Sequence, residues 1–261
     1  LYQLEVGARI IDDVIAASNG GADRVELYVS PTEGALTPSA GFVKEACLLK
    51  KELAFSMQLL AMIRPRAGDM LYTAVEFAVM QSDLEIIIEQ GIDGVMFGIL
   101  EPDGSLDIPR LKKLVQISAG KSMTLHRAFD AVKDPFVALE QAIDLGFEYV
   151  LCGGMQQAGC WDRKILPKLY EKAAGRIKMV MAFGPAFKTE SLPAYLAENP
   201  FTEFHIINGF RQRPSKMEFL PGFEAGSDDF LLRGRKTIEY LEESTVREIR
   251  EIMDNFEIKD N

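Results

Sequence analysis

Short apolar runs recur along this chain, with longer stretches of helical pattern between them. Two of the runs empty abruptly into charge: Met62-Ile63-Arg64-Pro65-Arg66-Ala67-Gly68-Asp69 and Thr124-Leu125-His126-Arg127-Ala128-Phe129-Asp130. Strands buried on both faces read as continuous apolar runs, and functional groups gather where such strands end. A second pattern recurs at Gly21-Ala22-Asp23-Arg24-Val25, Gly91-Ile92-Asp93-Gly94-Val95 and Gly146-Phe147-Glu148-Tyr149-Val150. In each, a glycine ends a helical segment, an acid follows, and a strand begins at once. The spacings of 70 and 55 residues correspond to roughly two βα units each.

These signals predict strands over 3–6, 24–28, 59–63, 94–97, 123–126, 149–152, 177–182 and 203–207. Helices are predicted between them, for example over 73–90 and 135–145. The second of these has Asp134 as N-cap and Pro135 at its first position. In Leu36-Thr37-Pro38-Ser39, Thr37 is expected to cap the second helix and Pro38 to open it. Eight βα units in one chain make a (β/α)8 TIM barrel. The reading is one domain over 1–261, with the barrel over about 1–208. Beyond it come an irregular excursion, rich in Pro and Gly over 210–234, and a polar terminal helix over 244–256. A doubly wound open sheet is the alternative. It would carry a Gly-rich loop after the first strand, and Val6-Gly7-Ala8-Arg9 is no such loop.

Composition narrows the function classes. With 261 residues, 48% of them hydrophobic, the chain has material for a large core. The net charge of -10 and the lack of a basic patch argue against nucleic acid as a partner. No apolar run approaches the ~18 residues of a membrane span, and no secretory signal opens the chain. Three cysteines make no disulfide framework, so a cytoplasmic location is expected.

Candidate chemistry sits at the predicted C-terminal strand ends, the face that carries the site in TIM barrels. Glu5, Glu26, Arg64, Arg66, His126, Arg127 and His205 all fall there, including both histidines of the chain. As a site, Arg64 and Arg127 would clamp a small carboxylate or phosphate ligand. His126 would be a general acid or base, with Glu26 as its partner or as a second base. Glu5, Arg66 and His205 would contact substrate. The competing reading is a buried network in which the arginines neutralise the carboxylates. A hard-metal site of Glu5, Glu26 and His126 is conceivable. A soft cluster of Cys152, Met155 and Cys160 lies at and after strand six, a donor set suited to Cu(I). Cys47, among Ala46, Leu48 and Leu49, reads as core.

The segments Leu4-Glu5-Val6, Gly21 to Leu27, Leu36-Thr37-Pro38-Ser39, Met62 to Arg66, Gly68-Asp69, Asp93 to Gly98 and His126 to Asp130 together resemble the CutC family, in order and with compatible spacing. That resemblance implies a TIM barrel in a cytoplasmic bacterial protein associated with copper homeostasis. It also implies oligomers, commonly homodimers, and brings no firmly attached reaction. Members of the family tend to carry cysteine after Leu-Glu-Val and after Ile-Glu-Leu, and these thiols are its proposed copper ligands. The corresponding positions here are Gly7 and Tyr28, and neither is a soft ligand. Copper is the one cofactor the resemblance suggests. Three functions follow: a copper-associated protein, an enzyme acting on a small anionic metabolite, or a structural or regulatory oligomer.

Overall fold

The three glycine–acid signals each end a helix and start a strand. Gly21, Gly91 and Gly146 have φ of 86, 88 and 84°, a left-handed conformation that strains any residue with a Cβ. The acid after each then ties the turn to the preceding strand. Asp23 accepts the Leu4 amide and Asp93 the Leu59 amide, both at 2.7 Å, and Glu148 accepts the Ser122 hydroxyl.

The computed structural model describes residues 1–118, 120–153, 165–184, 187–207, 209–216 and 237–256. Within them, β1 (Gln3–Ala8), β2 (Arg24–Leu27), β3 (Gln58–Met62), β4 (Gly94–Phe97), β5 (Ser122–Leu125), β6 (Tyr149–Cys152), β7 (Lys178–Phe183) and β8 (Glu203–Ile206) form a closed parallel barrel. Strand β8 returns to β1 with Glu5 level with His205, and β1 pairs β2 with Glu5 level with Arg24. The helices are α1 (Ile11–Asn19), α2 (Ala40–Glu52), α3 (Ala74–Glu89), α4 (Ile108–Ile117), α5 (Pro135–Asp144), α6 (Ile165–Ala173), α7 (Leu192–Glu198) and α8 (Glu243–Asp254). Alternation along the strands makes two cores. Val6, Leu27, Ala61, Phe97 and Cys152 pack outward under the helices. Leu60, Met62, Met96, Tyr149, Leu151 and Val180 fill the barrel.

Three sequence expectations need correction. The terminal helix is the barrel's own eighth helix, because α8 packs on α1 and α7 and Arg250 reaches the Tyr2 carbonyl and Asp23. Its mean polarity hid a buried stripe of Thr245, Val246, Ile249 and Met253. The excursion between β8 and α8 is not wholly irregular. Strands β9 (Phe210–Pro214) and β10 (Thr237–Leu241) pair antiparallel. Arg211-Gln212-Arg213 is too polar to read as a strand alone, and is held by β10 and by an Arg213–Asp12 ion pair of 2.9 Å. Finally, Ser39 caps α2 through the Phe42 amide. Thr37 instead hydrogen-bonds the backbone of Arg64 in both directions.

Candidate functional site

The barrel interior holds an ion network that starts from the register of three adjacent strands. Arg24 Nε donates to Glu5 Oε2 at 2.9 Å, and its Nη1 donates to Glu203 Oε2 at 2.6 Å. Glu5 Oε1 lies 2.8 Å from His205 Nδ1, and His205 Nε2 lies 3.4 Å from Glu26 Oε2. All five side chains are buried. Glu5 and His205 therefore sit inside the barrel, level with Arg24, rather than at its rim. Arg24 and Glu203 were not among the sequence candidates. Both lie at strand starts, where the sequence pattern gave no reason to look for function.

Burial and partners set the charges. Burial alone would raise Glu5, but its bond from His205 and the charge of Arg24 hold it down at about 2. Burial raises Glu26 to about 7, with the Glu5 charge adding to the shift and His205 opposing it. For His205, burial acts downward, yet its two glutamate neighbours prevail and raise it. Glu26 Oε1 has no hydrogen-bond partner.

His126 directly follows β5 and continues its inward face. Its Nδ1 accepts the Ala128 amide at 3.1 Å, capping the short helix Arg127–Ala131. Gly98 gives the ring room, since a Cβ there would lie 2.8 Å from imidazole atoms. Burial, reinforced by the charge of Arg64, lowers His126 to about 3. The ring is therefore neutral, with Nδ1 accepting and the proton on Nε2, which is buried and has no hydrogen-bond partner. Thr124 Oγ1, two residues before it on the same face, is also buried without a partner.

The arginines fare differently from their expected roles. Arg64 is buried, and its Nη1 donates to the carbonyls of Glu33, Gly34 and Ala35 while Nη2 donates to that of Gly68. This guanidinium ties two loops through its Nη atoms, while its Nε is buried without a partner among the described residues. Arg66 donates to Glu76, Asp69 and the Leu71 carbonyl, again fixing its own loop. Arg127 pairs with Asp130 at 2.8 Å, lies over Gly153 and keeps a side chain 57% exposed. We expect Arg64→Ala to cost ~1.5–3 kcal/mol of stability, the range for hydrogen bonds to charged groups. Arg127→Ala should be nearly neutral. Urea unfolding of the two variants checks this.

Arg9, which the sequence reading passed over, lies just beyond β1. Its Nη1 pairs with Glu239 of β10, and Phe210 lies 3.5 Å from the guanidinium carbon. Its Nε and Nη2 are buried without a partner.

The residues at the family's proposed copper positions do not fit copper. The Tyr28 ring lies over Gly7 so closely that a Cβ at position 7 would come within 2.5 Å of Tyr28 Cε1. Burial also raises the Tyr28 phenol, so it stays protonated. Gly7→Cys should therefore cost ~1–3 kcal/mol, as inserted volume does in a packed core. Adding Tyr28→Cys should restore part of the loss in thermal unfolding. Cys152 does not face the mouth either. It points outward into the sheet–helix core, because Leu151 and Gly153 take the inward positions around it. Met155 and Cys160 lie outside the described residues.

The model of the CutC family matches residues 2–208. The chain belongs to the CutC family. The family protein CutC of Vibrio vulnificus is 38% identical over 241 residues, covering 88% of this chain and 92% of its own. That of Bacteroides thetaiotaomicron is 38% identical over 205 residues, covering 78% and 80%. A CutC from Streptococcus agalactiae, whose name associates it with copper homeostasis, has a solved structure. It superposes with a TM-score of 0.72 at 26% identity, over 79% of this chain and 98% of its own. A thiamine phosphate pyrophosphorylase from Pyrococcus furiosus reaches 0.58 at 15% identity, over 97% and 96%, a likeness of fold alone. Within this CutC barrel, the interior network and His126 are the chemically distinctive features.

Proposed function

We propose that this chain serves copper homeostasis, the role carried in the name of its Streptococcus agalactiae relative, as a barrel that binds and converts a small anionic metabolite. On this reading it does not store Cu(I) at β1 and β2. The observation that carries the reading is a group of buried polar atoms without partners among the described residues, toward the C-terminal ends of β1, β3 and β5: Arg9 Nε and Nη2, Arg64 Nε, Thr124 Oγ1 and His126 Nε2. Buried donors and acceptors are nearly always paired, so such a set favours a polar occupant of the barrel mouth. Arg9 brings a positive charge with two nitrogens unpaired, whereas Arg64 has only its Nε unpaired. The neutral His126 offers an Nε2–H donor that can polarise a carbonyl or carboxylate without exchanging its proton near neutrality. The packing of Tyr28 on Gly7 argues against copper at the two strand ends.

Native mass spectrometry of the purified protein, with metal analysis, tests the reading. The expected result is a bound organic anion, lost in Arg9→Ala, and no stoichiometric copper. A wild-type protein that competes with a bicinchoninate-type chelator for one Cu(I) per chain would overturn it.

A further inference from the structure

We propose that the barrel interior is a divalent-cation site in which His205 Nε2 and the Glu26 carboxylate are ligands and Glu5 orients the imidazole. This goes beyond the anion reading and does not rest on it. Glu5, Glu26 and His205 each offer a ligand atom, and these atoms lie within 4.8 Å of one another, all on buried residues. Glu5 Oε1 sits 2.8 Å from His205 Nδ1. A carboxylate there accepts the Nδ1 proton and leaves the lone pair on Nε2. This carboxylate–histidine pairing fixes the tautomer and ring angle of metal-bound histidines. Nε2 then faces Glu26 Oε2 at 3.4 Å. That is long for a good hydrogen bond. It does match the ligand–ligand edge of a tetrahedral zinc site, about 3.3–3.6 Å for bonds of ~2.0–2.2 Å.

A second observation points the same way. Glu26 Oε1 is buried and has no hydrogen-bond partner among the described residues, and the residue is 3% exposed. Once ionised, a carboxylate oxygen in that position needs a cation or a donor. The charge count agrees. Among the described residues, Glu5 and Glu203 share the Arg24 guanidinium, and Glu26 pairs with His205 alone. With His205 neutral and Glu26 ionised, as ligands must be, two negative charges remain, and a divalent cation balances them. Arg24 does not occupy the site, since it binds the other oxygen of Glu5. The donors are oxygen and imidazole nitrogen, which select Zn2+ or Mn2+ over Cu(I).

The test uses the whole chain of 261 residues, treated with EDTA and dialysed, then titrated with ZnCl2 and MnCl2 alone. Stoichiometry is read by elemental analysis and affinity by calorimetry. The wild type should bind one ion per chain, and its unfolding temperature should rise with Zn2+. Glu26→Gln and His205→Gln should each bind at least tenfold more weakly. Cys152→Ser/Cys160→Ser should bind as the wild type does. Glu26→Gln is the safer variant, because Glu26 lies outside the Glu5–Arg24–Glu203 hydrogen-bond chain. Co2+ substitution adds an optical readout, with a tetrahedral visible spectrum in the wild type that is lost in Glu26→Gln. No stoichiometric binding by the folded wild type would overturn the proposal. So would equal binding by Glu26→Gln, or loss of binding only in the cysteine variant.

Discussion

Arg24→Met should destabilise the barrel by ~3–5 kcal/mol, the range for removing one partner of a buried ion pair. Arg24 bonds both Glu5 and Glu203, and its guanidinium also lies 4.4 Å from the centre of the Tyr149 ring. Methionine fills a similar volume, so the loss measured is mainly that of charge. Glu5 and Glu203 would be left facing each other without a cation of fixed geometry. Neutralising them should recover stability, and the triple variant Arg24→Met/Glu5→Gln/Glu203→Gln is expected to regain at least half of the loss. Urea unfolding at neutral pH reads both effects. A single variant within 1 kcal/mol of wild type would mean that water, not Arg24, satisfies these carboxylates.

The barrel was legible in the sequence because its signals are local. A glycine at positive φ and an acid bound to the preceding strand lie within a few residues of one another, at Gly21–Asp23 and Gly91–Asp93. The placement of the site was only partly legible. Glu5, Glu26, His126 and His205 stand out in the sequence as ionisable groups at predicted C-terminal strand ends. What they bond to depends on the register between β1, β2 and β8, which joins residues nearly 200 positions apart. Arg24 and Glu203 enter the network through that register alone.

An arginine at a strand end resembles an anion clamp, and in the sequence Arg64 has that look. Its partners are backbone carbonyls of two loops, and nothing in side-chain identity announces a carbonyl. Arg9 was missed for the opposite reason. It follows the first strand without other charge beside it, and its surroundings come from β10 and Phe210, far along the chain. Gly7 and Tyr28, taken singly, are two lost thiols. Together they are one packing unit, a ring seated on a glycine, so a side chain at position 7 calls for a smaller one at position 28.

Acidification should weaken the protein through His126, with a loss of ~1.4 kcal/mol for each pH unit below about 6.5. The sign follows from the two states. Unfolded, the imidazole takes up a proton near pH 6.5. Folded, burial and the neighbouring Arg64 hold it down to about 3. The unfolded chain therefore binds more protons throughout the interval between these values. The contribution is fully present above pH 6.5, falls as pH drops, and stops changing below about 3. At pH 4.5 it amounts to ~2.7 kcal/mol relative to pH 7. His126→Asn isolates the effect. Asparagine can still accept the Ala128 amide through its side-chain oxygen, so the cap survives, but it has no proton to gain. Titrations of Glu26 and His205 are common to both proteins and cancel in the difference. At pH 7 the variant should be the less stable, having lost packing against Gly98. By pH 4.5 the gap should close or invert. Parallel stability curves for the two proteins between pH 7 and 4.5 would show that His126 is protonated as readily in the fold as out of it, and would remove the neutral donor from the proposed site.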